Sequence, residues 1–111
     1  KMKWVEIENS GQVDTLLDDS MTTAQLIFKH STRCSISSMA LRRAEDHLPI
    51  ENLSANFLDL IAYRDVSNYI AELTGVTHQS PQVILIRNKE VIYHASHVSM
   101  DWKEIENLCV N

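Results

Sequence analysis

Cys34 stands in a polar setting: Thr32 and Arg33 precede it, and Ser35, Ile36 and Ser37 follow. The apolar run Leu26-Ile27-Phe28 ahead of it is too short for a helix. Ala40, Leu41, Ala44 and Leu48 behind it recur at helical spacing. The spacing predicts a strand, a polar turn and a helix start, with the cysteine at the helix N-terminus. There the unpaired N–H groups of the first turn and the helix dipole favour negative charge, and Arg33 adds a cation, so thiolate is favoured over thiol. Such a sulfur is a nucleophile suited to thiol–disulfide exchange. The alternative is a small hydrophobe filling a core site, the common fate of a free cysteine, which the polar neighbours make a poor fit.

The surrounding elements follow from pattern. Lys3-Trp4-Val5-Glu6-Ile7 alternates weakly and is expected as a short edge strand, broken by Asn9, Ser10 and Gly11. Ser10 is expected to cap a helix with Val13, Leu16 and Leu17 on one face. Gln25 to His30 is the first core strand, covered on both faces. The helix from Ser35 ends at Pro49, because the residue before a proline is pushed out of the helical region.

Asn56 to Leu60 reads as a second strand, parallel to the first across the intervening helix. Asp65 is expected to cap a third helix, closed by Gly75. Gln82 to Ile86 and Glu90 to Tyr93, joined through Asn88-Lys89, form an antiparallel hairpin. A last helix, opened by Ser99 or Asp101, carries Trp102, Ile105, Leu108 and Cys109. The expected fold class is therefore α/β, with a central mixed sheet of four main strands and helices on both faces, all in one domain over residues 1–111. Ligand chemistry in such a sheet gathers beyond the carboxyl ends of the strands, where Cys34 would lie.

Composition narrows the function. Fifteen acidic against ten basic residues give a net charge of -5, which argues against a nucleic-acid partner and an anionic membrane surface. No apolar run is long enough to span a membrane and the first twenty residues hold no apolar export segment, so a cytoplasmic location is expected. In that compartment two cysteines serve chemistry more readily than a structural bridge. No dense Cys/His spacing points to a metal, and no bound cofactor is expected. Lys1, ahead of Met2, is expected to take no part in the fold.

Cys34-Ser35-Ile36-Ser37 at a helix start, with Ser80-Pro81 ahead of a hairpin, resembles the thioredoxin fold, the usual C-x-x-C having become C-x-x-S. More specifically, the segment from Phe28 to Ser37, with Pro81-Gln82-Val83 and Tyr93-His94-Ala95-Ser96-His97, is similar to the YtxJ-type bacillithiol-system proteins, the monothiol bacilliredoxins. The likeness covers nearly the whole chain. It implies a cytosolic oxidoreductase acting on bacillithiol and S-bacillithiolated proteins, with bacillithiol as co-substrate. It also implies a cis Pro81 opposite the active thiol, where base rates alone favour a trans turn proline.

On that resemblance Cys34 is the nucleophile. Ser37, which cannot resolve the intermediate, donates a hydrogen bond to the sulfur. Ser80 presents its backbone beside Pro81 to the substrate. Arg33 is either a thiolate stabiliser and docking cation for bacillithiol carboxylates or a solvated loop residue. Cys109 is either a core residue or, after a rearrangement, a resolving thiol. His30, His94 and His97 either flank the site or are ordinary strand-end polar groups.

Two competing functions remain. One is a non-catalytic thioredoxin-fold binding module with Cys34 incidental. The other is an iron–sulfur carrier like the monothiol glutaredoxins, from which Ser35-Ile36 departs, since those relatives carry glycine and phenylalanine there. The sequence does not fix the oligomeric state.

Overall fold

The computed structural model describes residues 3–110, so the expectation for Lys1 lies outside the described residues. In chain order the elements are β1 (Val5–Glu6), α1 (Ser10–Asp19), β2 (Ala24–His30), α2 (Ser35–His47), β3 (Leu53–Asp59), α3 (Arg64–Thr74), β4 (Gln82–Arg87), β5 (Glu90–Ser96) and α4 (Trp102–Leu108). A 3-10 turn, His97–Ser99, precedes α4. One sheet takes the order β1-β3-β2-β4-β5, five strands rather than four main ones because β1 pairs with β3 through Val5 and Glu6.

The strand, helix, strand unit β2-α2-β3 is parallel, as the intervening helix requires. β4 then returns antiparallel against β2, and β5 against β4. Asn88 and Lys89 both take positive φ, 55° and 64°, which is the tight hairpin geometry whose twist matches that of the strands.

Alternate residues of β2 feed two cores. Leu26 and Phe28 pack with Ala40 and Ala44 of α2 and with Trp102 and Ile105 of α4. Ile27 packs with Val13 and Leu16 of α1 and with Val66 and Ile70 of α3. All three β2 side chains are fully buried, each contributing roughly 1.5–3 kcal/mol of transfer free energy. Trp4 extends the first core, stacking obliquely on Phe28 and Phe57 while its Nε1 donates to Glu45 Oε2 of α2 at 3.0 Å.

Two helix starts differ from expectation. Asn9, not Ser10, caps α1: its side chain accepts from Gln12 N at 2.9 Å, which leaves Ser10 as the first helical residue. α3 begins at Arg64, so Asp65 lies in the first turn and accepts from Val66 N. The turn before α3 is held by Asp59, whose Oδ1 accepts from Ile61 N and Ala62 N. At the far end of that helix Gly75 adopts φ 71°, the left-handed geometry that closes a helix. A Cβ there would meet no atom within 4 Å, so only the backbone opposes a side chain. Gly75→Ala is accordingly expected to lower stability by about 1 kcal/mol in denaturant titration, with an unchanged fold by circular dichroism.

Candidate active site

β2 ends at His30, and within four residues the chain reaches Cys34, which caps α2 with extended backbone (φ -119°, ψ 118°). The connection is pinned twice. Cys34 N donates to Ser31 O at 3.2 Å, and Cys34 O accepts from Ser38 N at 3.1 Å as the helix begins. The cysteine is half-buried at the mouth of the helix, and its side chain makes no cap hydrogen bond.

Ser37, fully buried one turn into α2, faces inward. Its Oγ lies 2.8 Å from His30 Nδ1 and accepts from Ser31 N at 3.0 Å. This departs from the expectation of a hydroxyl donated to the Cys34 sulfur: the Ser37 hydroxyl bonds to the end of β2, and among the described residues it makes no hydrogen bond to that sulfur. His30 is 6% exposed and packs on Phe57. Burial lowers its pKa below the ordinary 6.5 and outweighs the opposing pull of Asp59, Ser37 and Glu45, so the ring is neutral at pH 7. A single hydrogen bridges Ser37 Oγ and His30 Nδ1.

The Ser80–Pro81 peptide bond is cis. Lys29 pairs with Gln82 across the sheet, so Pro81, one residue earlier, lies beside His30 at the end of β2 from which the chain runs to Cys34. Pro81 O accepts from His97 N at 3.0 Å, and the 3-10 turn that His97 opens packs against α2. Ser80 Oγ is buried without a hydrogen-bond partner. Beside this loop runs an open groove of about 620 Å³ lined by Thr77, Gln79, Gln82, Tyr93 and Ser96.

A thiol at a helix start, with a cis proline beside the end of the strand that leads to it, is the arrangement of the thioredoxin fold. The sequence pattern of the family described as monothiol bacilliredoxin BrxC matches residues 5–105. The chain belongs to the monothiol bacilliredoxin family.

Among solved structures it is similar to a protein described as a candidate oxidoreductase with a thioredoxin fold, at 24% identity and TM-score 0.81 over 93% of this chain and 90% of that one. It also resembles Schistosoma mansoni thioredoxin, at 13% identity and TM-score 0.74 over 96% and 93% of the two chains. A thioredoxin variant from Halobacterium salinarum matches at 15% identity and TM-score 0.71 over 96% and 88%. These likenesses show the fold; the family assigns a thiol redox role.

In this bacilliredoxin-family chain the two cysteines lie at opposite ends of the sheet. Cys109 is 2% exposed and its carbonyl accepts from Asn52 Nδ2 at 3.4 Å, next to Leu53, which pairs with Ala24, the first residue of β2, while Cys34 follows the last. Six strand steps separate the two ends, about 20 Å, against the roughly 7 Å between Cα atoms that a disulfide tolerates. Burial raises the Cys109 thiol above its usual range, Glu106 adds to the shift, and Arg87 opposes it. In this fold Cys109 is a core thiol, the first of its two expected readings.

Arg33 is exposed next to Cys34, and among the described residues no carboxylate pairs with it. His97 reaches Pro81, whereas His94 is exposed on β5 opposite Ile84. Among the described residues no three His, Cys, Asp or Glu side chains converge as metal ligands.

Sequence reasoning passed over Lys29. It is fully buried on the α3 face of β2, with Nζ donating to Ser67 O at 3.2 Å and lying 3.5 Å from His78 Nδ1. The signal was present: a lysine in a strand expected to be covered on both faces must itself be covered. Burial pushes its pKa down from 10.5 to about 8.

Two outcomes follow from these contacts. Ser37→Ala leaves His30 Nδ1 and Ser31 N without their partner and is expected to cost about 1–3 kcal/mol in denaturant titration. Lys29 carries its full burial cost below pH 8, where both folded and unfolded chains hold the proton. Between pH 8 and 10.5 the folded chain releases it first, so stability should gain up to about 3 kcal/mol from this group as pH rises. Lys29→Met should be the more stable protein at pH 7, with the difference shrinking toward pH 10.5.

Proposed function

We propose that the chain, as one thioredoxin-like domain in the cytoplasm, removes bacillithiol from protein mixed disulfides through Cys34 alone. The Cys34 thiolate attacks the bacillithiol sulfur and forms a new S–S bond as the old one breaks. The protein cysteine leaves as thiolate and takes a proton from solvent. A second small thiol, as thiolate, then attacks the bacillithiol sulfur of the adduct, freeing Cys34 and carrying bacillithiol away as a small disulfide. Two electrons pass from the small thiols to the mixed disulfide, and Cys34 ends as it began.

The observation that carries this reading is the isolation of Cys34. Ser37 occupies the place of a second active-site thiol and is tied to His30, and Cys109 is buried at the other end of β2. Nothing within reach can resolve the intermediate from inside, which is what a monothiol cycle requires.

The rim suits a protein followed by a small thiol. Ile36, Met39 and Val98 are 50%, 60% and 85% exposed around the helix start and the 3-10 turn, an apolar margin for a protein surface. The groove lined by Thr77, Gln79, Tyr93 and Ser96, of mixed polar and apolar character, gives the body of the small thiol a place to lie, and the exposed Arg33 guanidinium offers its carboxylates a charge partner. The backbone of Ser80, beside Pro81, would offer a short strand-like contact to the substrate.

The test is turnover on a protein carrying a bacillithiol mixed disulfide, supplied with free bacillithiol. Cys34→Ala should abolish release of the protein thiol, and Cys109→Ala should retain wild-type turnover. Equal loss in both variants would establish a two-cysteine route and overturn the monothiol reading. Arg33→Gln should raise KM several-fold with kcat little changed, the mark of a docking contact made equally in ground and transition states.

A further inference from the structure

Lys29 places a cation in the interior one strand residue short of the active end. Its contacts are neutral: Ser67 O of α3 and His78 Nδ1 of the segment that follows α3. Ser67 Oγ closes the cluster, 3.1 Å from the same His78 nitrogen. Among the described residues the one ion pair, Lys89 with Asp18, lies elsewhere, so no carboxylate offsets this charge. An apolar side chain of similar length would fill the space without taking an ammonium out of water.

What the ammonium adds is a directional hold on one segment. Gln82, paired with Lys29 across β2 and β4 and 1% exposed, holds that segment too: its Nε2 donates to Thr77 O at 3.0 Å and its Oε1 accepts from Gln79 N at 3.4 Å. Lys29 and Gln82 thus grip residues 77–79 from below. The next two residues are Ser80 and Pro81, with their cis bond.

We propose that Lys29 is a positioning residue for thiol–disulfide exchange: through His78 and Ser67 it fixes the segment leading into Ser80–Pro81 against β2, so that an incoming disulfide is presented in line with the Cys34 sulfur. The inference rests on Cys34 being the exchanging thiol, as proposed above. Lys29 acts on the loop that receives a substrate and leaves the sulfur's own reactivity unchanged. A small alkylating reagent needs no loop, whereas a disulfide substrate does.

The experiment compares wild type, Lys29→Met and His78→Leu in three measurements at pH 7: thermal midpoint, the rate of Cys34 alkylation by iodoacetamide, and kcat/KM on a disulfide. Two substrates are run, a bacillithiol–protein mixed disulfide and a plain peptide disulfide. Lys29→Met should hold or raise the thermal midpoint, keep alkylation within about twofold, and lower kcat/KM by about tenfold, the scale of a sub-ångström loss of alignment. His78→Leu, which removes the loop's acceptor, should show the same loss of kcat/KM.

Unchanged kcat/KM in Lys29→Met overturns the proposal, and if that variant does not fold, His78→Leu decides on the same criterion. A fall in alkylation matching the fall in kcat/KM also overturns it, because Lys29 would then act on the sulfur. A lowered midpoint with proportionate loss in every assay marks a merely structural residue. If wild type acts on the peptide disulfide and not on the bacillithiol one, the substrate reading fails while the peptide series still reports on Lys29.

Discussion

β2 is held from four sides, and the position of the sulfur follows from that. It hydrogen-bonds to β3 on one edge and β4 on the other, while its alternate side chains enter separate cores on the two faces of the sheet. A slip of one residue would carry Phe28 out of one core and drive Ile27 into the wrong one, so the register admits no alternative. Only three residues lie between His30 and Cys34, and the Ser31–Ser37–His30 bonds tie the first turn of α2 back to the strand. A strand fixed in register thereby fixes a thiol beyond its end, without any bond to the sulfur itself.

Buried polar side chains occur at both ends of β2: Lys29, His30, Ser37 and Gln82 at its carboxyl end, and Gln25 with Asn56, whose Nδ2 donates to Gln25 Oε1 at 3.2 Å, nearer its start. Buried polar groups are costly unless bonded, and here each is bonded to backbone or to another polar side chain. Apolar packing would hold the loops less specifically, since it lacks direction. The carboxyl end of β2 is tied to its neighbouring segments by directional contacts, and the cost of burying those polar groups is offset by the aliphatic packing of the two cores.

Much of this was legible in the sequence because the chain states its periods clearly. The Leu26-Ile27-Phe28 run, the helical stripe of Ala40, Leu41 and Ala44, Gly75 at a helix end and the Asn88-Lys89 turn each specify one local geometry, and each lies where expected. The misses are of another kind. Asn9 and Ser10 are both good caps, and only the backbone decides between them. Asp65 looked like a cap because nothing local reveals that Asp59 already organises the turn. Ser37 could point to the sulfur or the strand, and the choice depends on His30, seven residues away and on another element. The partners of Lys29 required knowing which side chains meet beneath the sheet. Short-range pattern finds elements, and it does not find the partners of polar side chains.

The isolation of Cys34 gives the surface around it two successive tasks under the proposed cycle. A dithiol site can finish its reaction with the substrate still docked, since the second thiol is already present. A single thiol must release its first product and then admit a second nucleophile to the same adduct, so the approach to the bond has to remain open. The apolar rim of Ile36, Met39 and Val98 and the mixed groove of Thr77, Gln79, Tyr93 and Ser96 are different surfaces, as a protein and a small thiol demand. They are linked through Pro81, bonded to the 3-10 turn on one side and preceded by the gripped segment on the other. A loop that must serve two partners in turn gains from being fixed by the protein beneath it, because neither partner is present throughout the cycle to hold it in place.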